Sequence, residues 1–157
     1  MKEDVVDKPR LIRGGVHIDD RGAVTFCNDF DMSEIKRFYM LENYEQGYVR
    51  AWHGHIKEAK WVVCVSGVAV EAAVEMFNRG NRGEYELHTE KSCVTRHVLH
   101  PNGDVLYIPS GYANGHKNLT LGTRLIHFSN LAQDETVGDD VRFDSSIHGW
   151  VWEVKSR

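Results

Sequence analysis

The chain has 157 residues and a mass of 18.0 kDa, the length of one domain with a real core. Hydrophobic residues make up 41% and charged residues 27%, an ordinary globular balance. A net charge of −4 and a pI near 6.1 exclude a general nucleic-acid binder, which would be basic. Cys27, Cys64 and Cys93 are odd in number and lack CxxC spacing, which fits a reducing cytoplasm and no disulfide framework. The start, Met-Lys-Glu-Asp-Val-Val-Asp-Lys-Pro, has no apolar signal core. No apolar run approaches the roughly 20 residues of a membrane span, so no membrane partner is expected.

In chain order, residues 1–15 read as an irregular entry with a short strand at Leu11–Ile12. Asp19-Asp20-Arg21-Gly22 is a turn, followed by a strand at Ala23–Phe26. Ile35–Leu41 reads as a strand and Asn43–Gly47 as a polar loop. Gly47–Gly67 holds a strand with His53 and His55, then an apolar strand at Trp61–Val65. Val68–Phe77 is a strand of interleaved valines and alanines, and Asn78–Gly83 is a hairpin loop. Strands are also expected at Glu84–Thr89, Cys93–His100, Val105–Ile108 and Arg124–Ser129, with a turn at 101–104 and a loop at Pro109–Gly115. Residues 131–140 are acidic and irregular, and Val141–Trp152 packs back on the body. Short strands, regular turns and almost no helical period predict an all-β sandwich or barrel.

The chemistry concentrates in Gly47–Gly67. Side chains two apart in a strand share a face, so His53 and His55 point the same way, and Lys60 shares a face with Val62 and Cys64. Polar groups aimed into a β-structure usually serve chemistry.

Gly47, five residues, then His53-Gly54-His55 matches the first half of cupin motif one. Gly103, Pro109-Ser110-Gly111, Asn114 and Asn118 match the spacing of motif two. This resemblance implies a double-stranded β-helix, the cupin jelly-roll barrel, as one domain over 1–157. Cupins place a carboxylate ligand seven residues before the closing glycine of motif one, where this chain has Lys60, and a third histidine where it has Asn114. A cation in the ligand set repels a divalent ion, so no metal and no other cofactor is expected.

More closely, the chain resembles the dTDP-4-dehydrorhamnose 3,5-epimerase family over about residues 18–152. The residues that carry this are Asp19-Asp20-Arg21-Gly22, Tyr48-Val49-Arg50-Ala51-Trp52-His53, Lys60, Tyr107-Ile108-Pro109-Ser110-Gly111-Tyr112-Ala113-Asn114-Gly115, and Val141-Arg142-Phe143-Asp144 with Trp152. The resemblance implies epimerisation, at C3 or at C3 and C5, of a nucleotide-linked 4-keto-6-deoxy sugar. His53 would be the base, Lys60 the clamp on the enolate oxygen and Asp144 the carboxylate behind His53. His55 would be a second polar wall or shuttle. Arg21 and Arg50 would hold the diphosphate, with Asn114, Tyr39 and Tyr112 at the substrate. Strict alternation puts Arg50 opposite His53, so a strand irregularity or a place at the rim is required.

The chain departs from that family in three places. Its catalytic tyrosine falls at Ile126, its motif-two histidine at Asn114 and its second tail aspartate at Ser145. For the proton of the opposite face, Tyr39, Tyr112, His127 and water are the candidates. Glu34-Ile35-Lys36-Arg37-Phe38-Tyr39 with His53-x-His55 also resembles the 3,4-ketoisomerases, the alternative reading. A non-catalytic sugar-nucleotide-binding cupin is the second alternative. Exchange of edge strands makes a homodimer the expected assembly.

Overall fold

A computed structural model describes residues 7–80 and 83–157. Asn81 and Arg82, at the expected tip of the 78–83 hairpin, lie outside the described residues, as do residues 1–6. Among the described residues, thirteen strands run β1 Arg10–Ile12, β2 Gly15–Asp19, β3 Gly22–Phe26, β4 Arg37–Glu42, β5 Val49–His55, β6 Lys60–Ser66 and β7 Ala69–Asn78. They continue as β8 Tyr85–Leu87, β9 Val94–Leu99, β10 Val105–Ile108, β11 Tyr112–Asn118, β12 Arg124–Ser129 and β13 Asp140–Arg142.

Two antiparallel sheets face each other. One is five-stranded in the order β1-β10-β6-β12-β4. The other is six-stranded, β13-β5-β11-β7, with β8 and β9 both paired to β7. β2 and β3 form a separate hairpin in which Asp19 pairs with Gly22, as the turn chemistry predicts.

Apolar side chains sort into three layers. Between the sheets lie Val62, Cys64, Ala69, Ala73, Leu106 and Leu125. Behind the six-stranded sheet, Trp52, Val70, Val74, Val151 and Trp152 form a second cluster, so the C-terminal segment packs back as expected. The Trp52 and Trp152 rings lie 5.0 Å apart, and Trp52 Nε1 donates to the Ile147 carbonyl at 2.7 Å. The third cluster, around Trp61 and Val105, covers the outer face of the five-stranded sheet.

Three segments differ from the sequence reading. The expected loop at 109–115 gives way to β11, which starts at Tyr112 and joins β5 to β7 at the centre of its sheet. Its polar composition hid it, because those polar residues face the interior. The entry contains β2, and the acidic segment ends in β13, which pairs with β5 through Asp140↔His55 and Arg142↔His53.

The β5–β11 pair carries the irregularity that Arg50 requires. Asn114 pairs with His53 and His116 with Arg50, so Ala51 and Trp52 stand against Gly115 alone. The extra residue is a β-bulge, and it turns Arg50 and His53 to the same side. Gly115 permits it: a Cβ there would stand 2.5 Å from Ala51 Cβ and 2.8 Å from the Arg50 carbonyl oxygen.

Candidate functional site

Side chains of both sheets converge on a cavity of about 100 Å3. β4, β6 and β12 supply Tyr39, Leu41, Lys60 and His127, and the facing sheet supplies Arg50, His53, Asn114, Gly115 and His116. Of the residues expected at a site, the fold thus brings His53, Lys60, Arg50, Asn114 and Tyr39 around one space.

His53 Nε2 lies 3.0 Å from Arg142 Nη1. A guanidinium only donates, so Nε2 accepts and Nδ1 carries the ring proton. Burial first, then the charges of Arg142 and Lys60, push the His53 pKa down to about 4. The ring is therefore a neutral imidazole at neutral pH. Arg142 also donates from Nε to Asp140 at 2.7 Å.

Asp144 does not stand behind His53. Its carboxylate accepts from the Ser146 backbone N–H at 2.7 Å at an exposed turn, and Arg142 holds the contact with the imidazole. Asp144 lies past the end of β13, where the chain leaves the strand and turns, so the turn takes up its carboxylate and the β5 register does not hold it.

The histidine with carboxylates behind it is His55. Its Nε2 lies 2.8 Å from Lys60 Nζ. Its Nδ1 is 3.1 Å from Glu58 Oε2 and 3.7 Å from Asp139 Oδ2, close in distance but off the hydrogen-bond line. The Lys60 ammonium donates, so Nε2 accepts and the Nδ1–H faces the two acids. Burial, then Lys60, lowers the His55 pKa to about 4. Both acids are themselves fixed. Glu58 accepts from Arg37 at 2.8 Å and Ser129 at 2.5 Å. Asp139 accepts from the backbone N–H groups of Ile56, Lys57 and Glu58, closing the β5–β6 turn. His55 is thus a prop for Lys60, and Lys60 meets the cavity.

Lys60 is 5% exposed. Burial lowers its pKa, and Glu58 and Glu71 oppose that shift. Tyr39 stacks on His127 with ring centres 5.1 Å apart and planes 6° from parallel. Its hydroxyl stays protonated because burial, then Glu58, raises its pKa. Arg50 donates from Nε to the Asn43 amide oxygen at 2.6 Å, and Asn43 in turn bonds Asn118 at 3.2 Å.

Two expected binding residues lie elsewhere. Arg21 pairs with Asp19 at 2.6 Å on the exposed hairpin tip. Tyr112 packs among the apolar side chains between the sheets. Ile126 faces an outer groove rather than the interior, because the inward position on that part of β12 belongs to His127.

No role in the site is assigned to Glu71, Arg142 or His116 from the sequence alone. Glu71 is fully buried on β7, and Asn114 Nδ2 donates to its Oε1 at 3.0 Å. His116 Nδ1 lies 4.0 Å from Glu71 Oε2, and His127 Nε2 3.8 Å from Glu71 Oε1. Burial lowers the pKa of His116 to about 4 and that of His127 to about 3. The available signal was an acid, Glu71, flanked on both sides by apolar residues within the run Val68–Phe77, which also carries Glu75 near its end.

Donor atoms of Glu71, His116 and His127, and of His55, Glu58 and Asp139, gather within 4.8 Å of one another. The Lys60 ammonium is an electrostatic neighbour of both groups. A cation there weighs against a divalent ion in either group.

No protein-family model and no curated protein matches the sequence. Solved structures do match. The rmlC epimerase of Mycobacterium tuberculosis has a TM-score of 0.69 at 16% identity, over 92% of this chain and 72% of that one. The chain has the cupin fold. NovW, a 4-keto-6-deoxy sugar epimerase from the novobiocin biosynthetic gene cluster of Streptomyces spheroides, has a TM-score of 0.70 at 15% identity, over 90% and 72% of the two chains. QdtA, a sugar 3,4-ketoisomerase of Thermoanaerobacterium thermosaccharolyticum solved with TDP, has a TM-score of 0.61 at 20% identity, over 94% and 93%.

Proposed function

We propose that this protein is an isomerase that epimerises a nucleotide-linked 4-keto-6-deoxy sugar, at C3 or at C3 and C5, without a metal ion. One observation carries the reading: a neutral imidazole and a buried ammonium line the same cavity. A proton beside the C4 ketone is weakly acidic, and His53 Nε2 removes it once Arg142 releases that nitrogen. Negative charge then develops on the ketone oxygen, where Lys60 donates a hydrogen bond from a position that Glu58 and His55 hold ready. Arg50 and Arg142 are forked donors at the cavity and its rim, suited to a diphosphate. Inversion is completed when a proton is delivered to the same carbon from the opposite face, by the protonated Tyr39 hydroxyl or by water. His53 passes its proton to solvent. Tyr39 and Asn114 meet the sugar. Arg21 serves the site only from a second copy, where the projecting β2–β3 hairpin of one subunit reaches the other.

The test is proton exchange in D2O with a panel of 4-keto-6-deoxy nucleotide sugars, followed by NMR. Deuterium at C3, or at C3 and C5, with inversion is expected. Carbonyl migration to C3 would make the protein a 3,4-ketoisomerase. Binding without exchange would make it a binding module.

A further inference from the structure

We propose that Glu71 acts as a neutral carboxylic acid, joined to Asn114 by a two-point hydrogen-bonded pair that fixes the amide at the cavity wall. One half of the pair is present as the 3.0 Å bond from Asn114 Nδ2 to Glu71 Oε1. The other two polar atoms of the same residues, Glu71 Oε2 and Asn114 Oδ1, are both buried and both without a hydrogen-bond partner. As an ionised carboxylate, Glu71 leaves an orphaned acceptor on each residue of a pair already joined by one bond. A proton on Oε2 makes one of them a donor to the other, and both are satisfied by a single bond.

The surroundings favour the neutral form. Glu71 is fully buried, and its ion-pair neighbours among the described residues are the imidazoles of His116 on β11 and His127 on β12. Its register partner on β9 is His97, and Lys60 on β6 is the cation that acts on it from the facing sheet. Burial without a directly bound cation raises its pKa to about 7, against the pull of His116, Asn114 and Lys60.

The pair has a consequence for the site. Asn114 is the register partner of His53. With Oδ1 and one N–H committed to Glu71, the amide keeps one N–H for the cavity, and it cannot flip without losing both bonds. Glu71 is thus a positioning residue: it fixes a neutral donor beside the base, at the position where cupin motif two carries histidine. Its role in turnover rests on the epimerase reading, whereas the proton on Glu71 does not.

Glu71→Gln and Glu71→Ala test this. A glutamine carboxamide reproduces the two-point pair without a titrating group, and alanine removes it. A carboxyl group with a raised folded-state pKa contributes stability that is present below about 4.5 and lost as pH rises through about 7. Urea unfolding of the wild type should therefore lose stability across that window, and E71Q should stay flatter. In the exchange assay E71Q should keep kcat/KM and lose the decline above neutral pH, while E71A should fall roughly 10- to 100-fold, the scale for removing a supporting partner of a functional group. Equal pH dependence of unfolding in wild type and E71Q would overturn the proton assignment. An E71Q as inactive as E71A would overturn the positioning role. If the wild type exchanges no sugar proton, the epimerase reading falls and the positioning role with it, and the unfolding comparison still decides whether Glu71 holds a proton.

Discussion

His53 and Arg142 define the residue scale. The imidazole is the proposed base, one of three that line the cavity with His116 and His127, yet a guanidinium 3.0 Å away occupies its acceptor nitrogen. Arg142 has a second role through its charge, which ranks after burial among the causes that bring the His53 pKa to about 4. A general base works when unprotonated, so kcat/KM should fall as pH drops through that value. Replacing Arg142 by alanine removes a cation and should move this acid limb to higher pH, read from the pH profile of exchange. His53→Ala should lower exchange by roughly 100- to 10,000-fold at neutral pH, measured as deuterium incorporation. Retention of full exchange would assign the base elsewhere. Asp144, the carboxylate expected behind His53, is replaced in the structure by a cation in front of it. A four-residue tail motif names residue types, but which of them turns toward β5 depends on the pairing of β13, which sequence spacing does not fix.

The bulge in β5 is the decisive element. Alternation along a strand would separate Arg50 from His53, and two residues against Gly115 reunite them. Gly115→Ala should therefore cost about 1–3 kcal/mol, the scale of an overpacked interior, read as a lower urea midpoint. It should also reduce activity, because Arg50 and His53 move when the bulge does. Much of this was legible beforehand. The cupin spacings placed His53, Lys60 and Asn114 on one cavity, and the conflict over Arg50 announced an irregularity in that strand. β11 and Glu71 were not legible for a common physical reason. Each is polar where an interior element is expected to be apolar, and only the partner atoms across the cavity make that polarity affordable. Ile126 shows the limit of motif alignment. A shift of one residue along β12 exchanges the inner and outer faces, so the inward position belongs to His127.

At the scale of the molecule, the outer surface of the five-stranded sheet remains to be accounted for. Its edge strand β4 alternates, with Tyr39 and Leu41 turned inward and Phe38 and Met40 left 65% and 53% exposed. Val65 nearby and Ile18 and Val24 on the β2–β3 hairpin are exposed as well. Between hairpin and sheet runs a groove of about 410 Å3, lined by Phe26, Phe30, Met32, Val65, Ile126 and Phe128. Contiguous apolar surface beside an open sheet edge suits a second copy of the chain, the assembly expected from the sequence. The same assembly would give the Arg21 hairpin a cavity to reach, which its own chain does not provide. Sedimentation should therefore give twice the 18.0 kDa of one chain. Phe38→Glu combined with Met40→Glu should give one chain mass with the cavity side of β4 untouched, since both side chains point away from it. If Arg21 serves the partner's cavity, this monomer should bind nucleotide sugar more weakly while His53 keeps its acid limb. A wild type that sediments as a single chain would remove both the dimer and the role of Arg21.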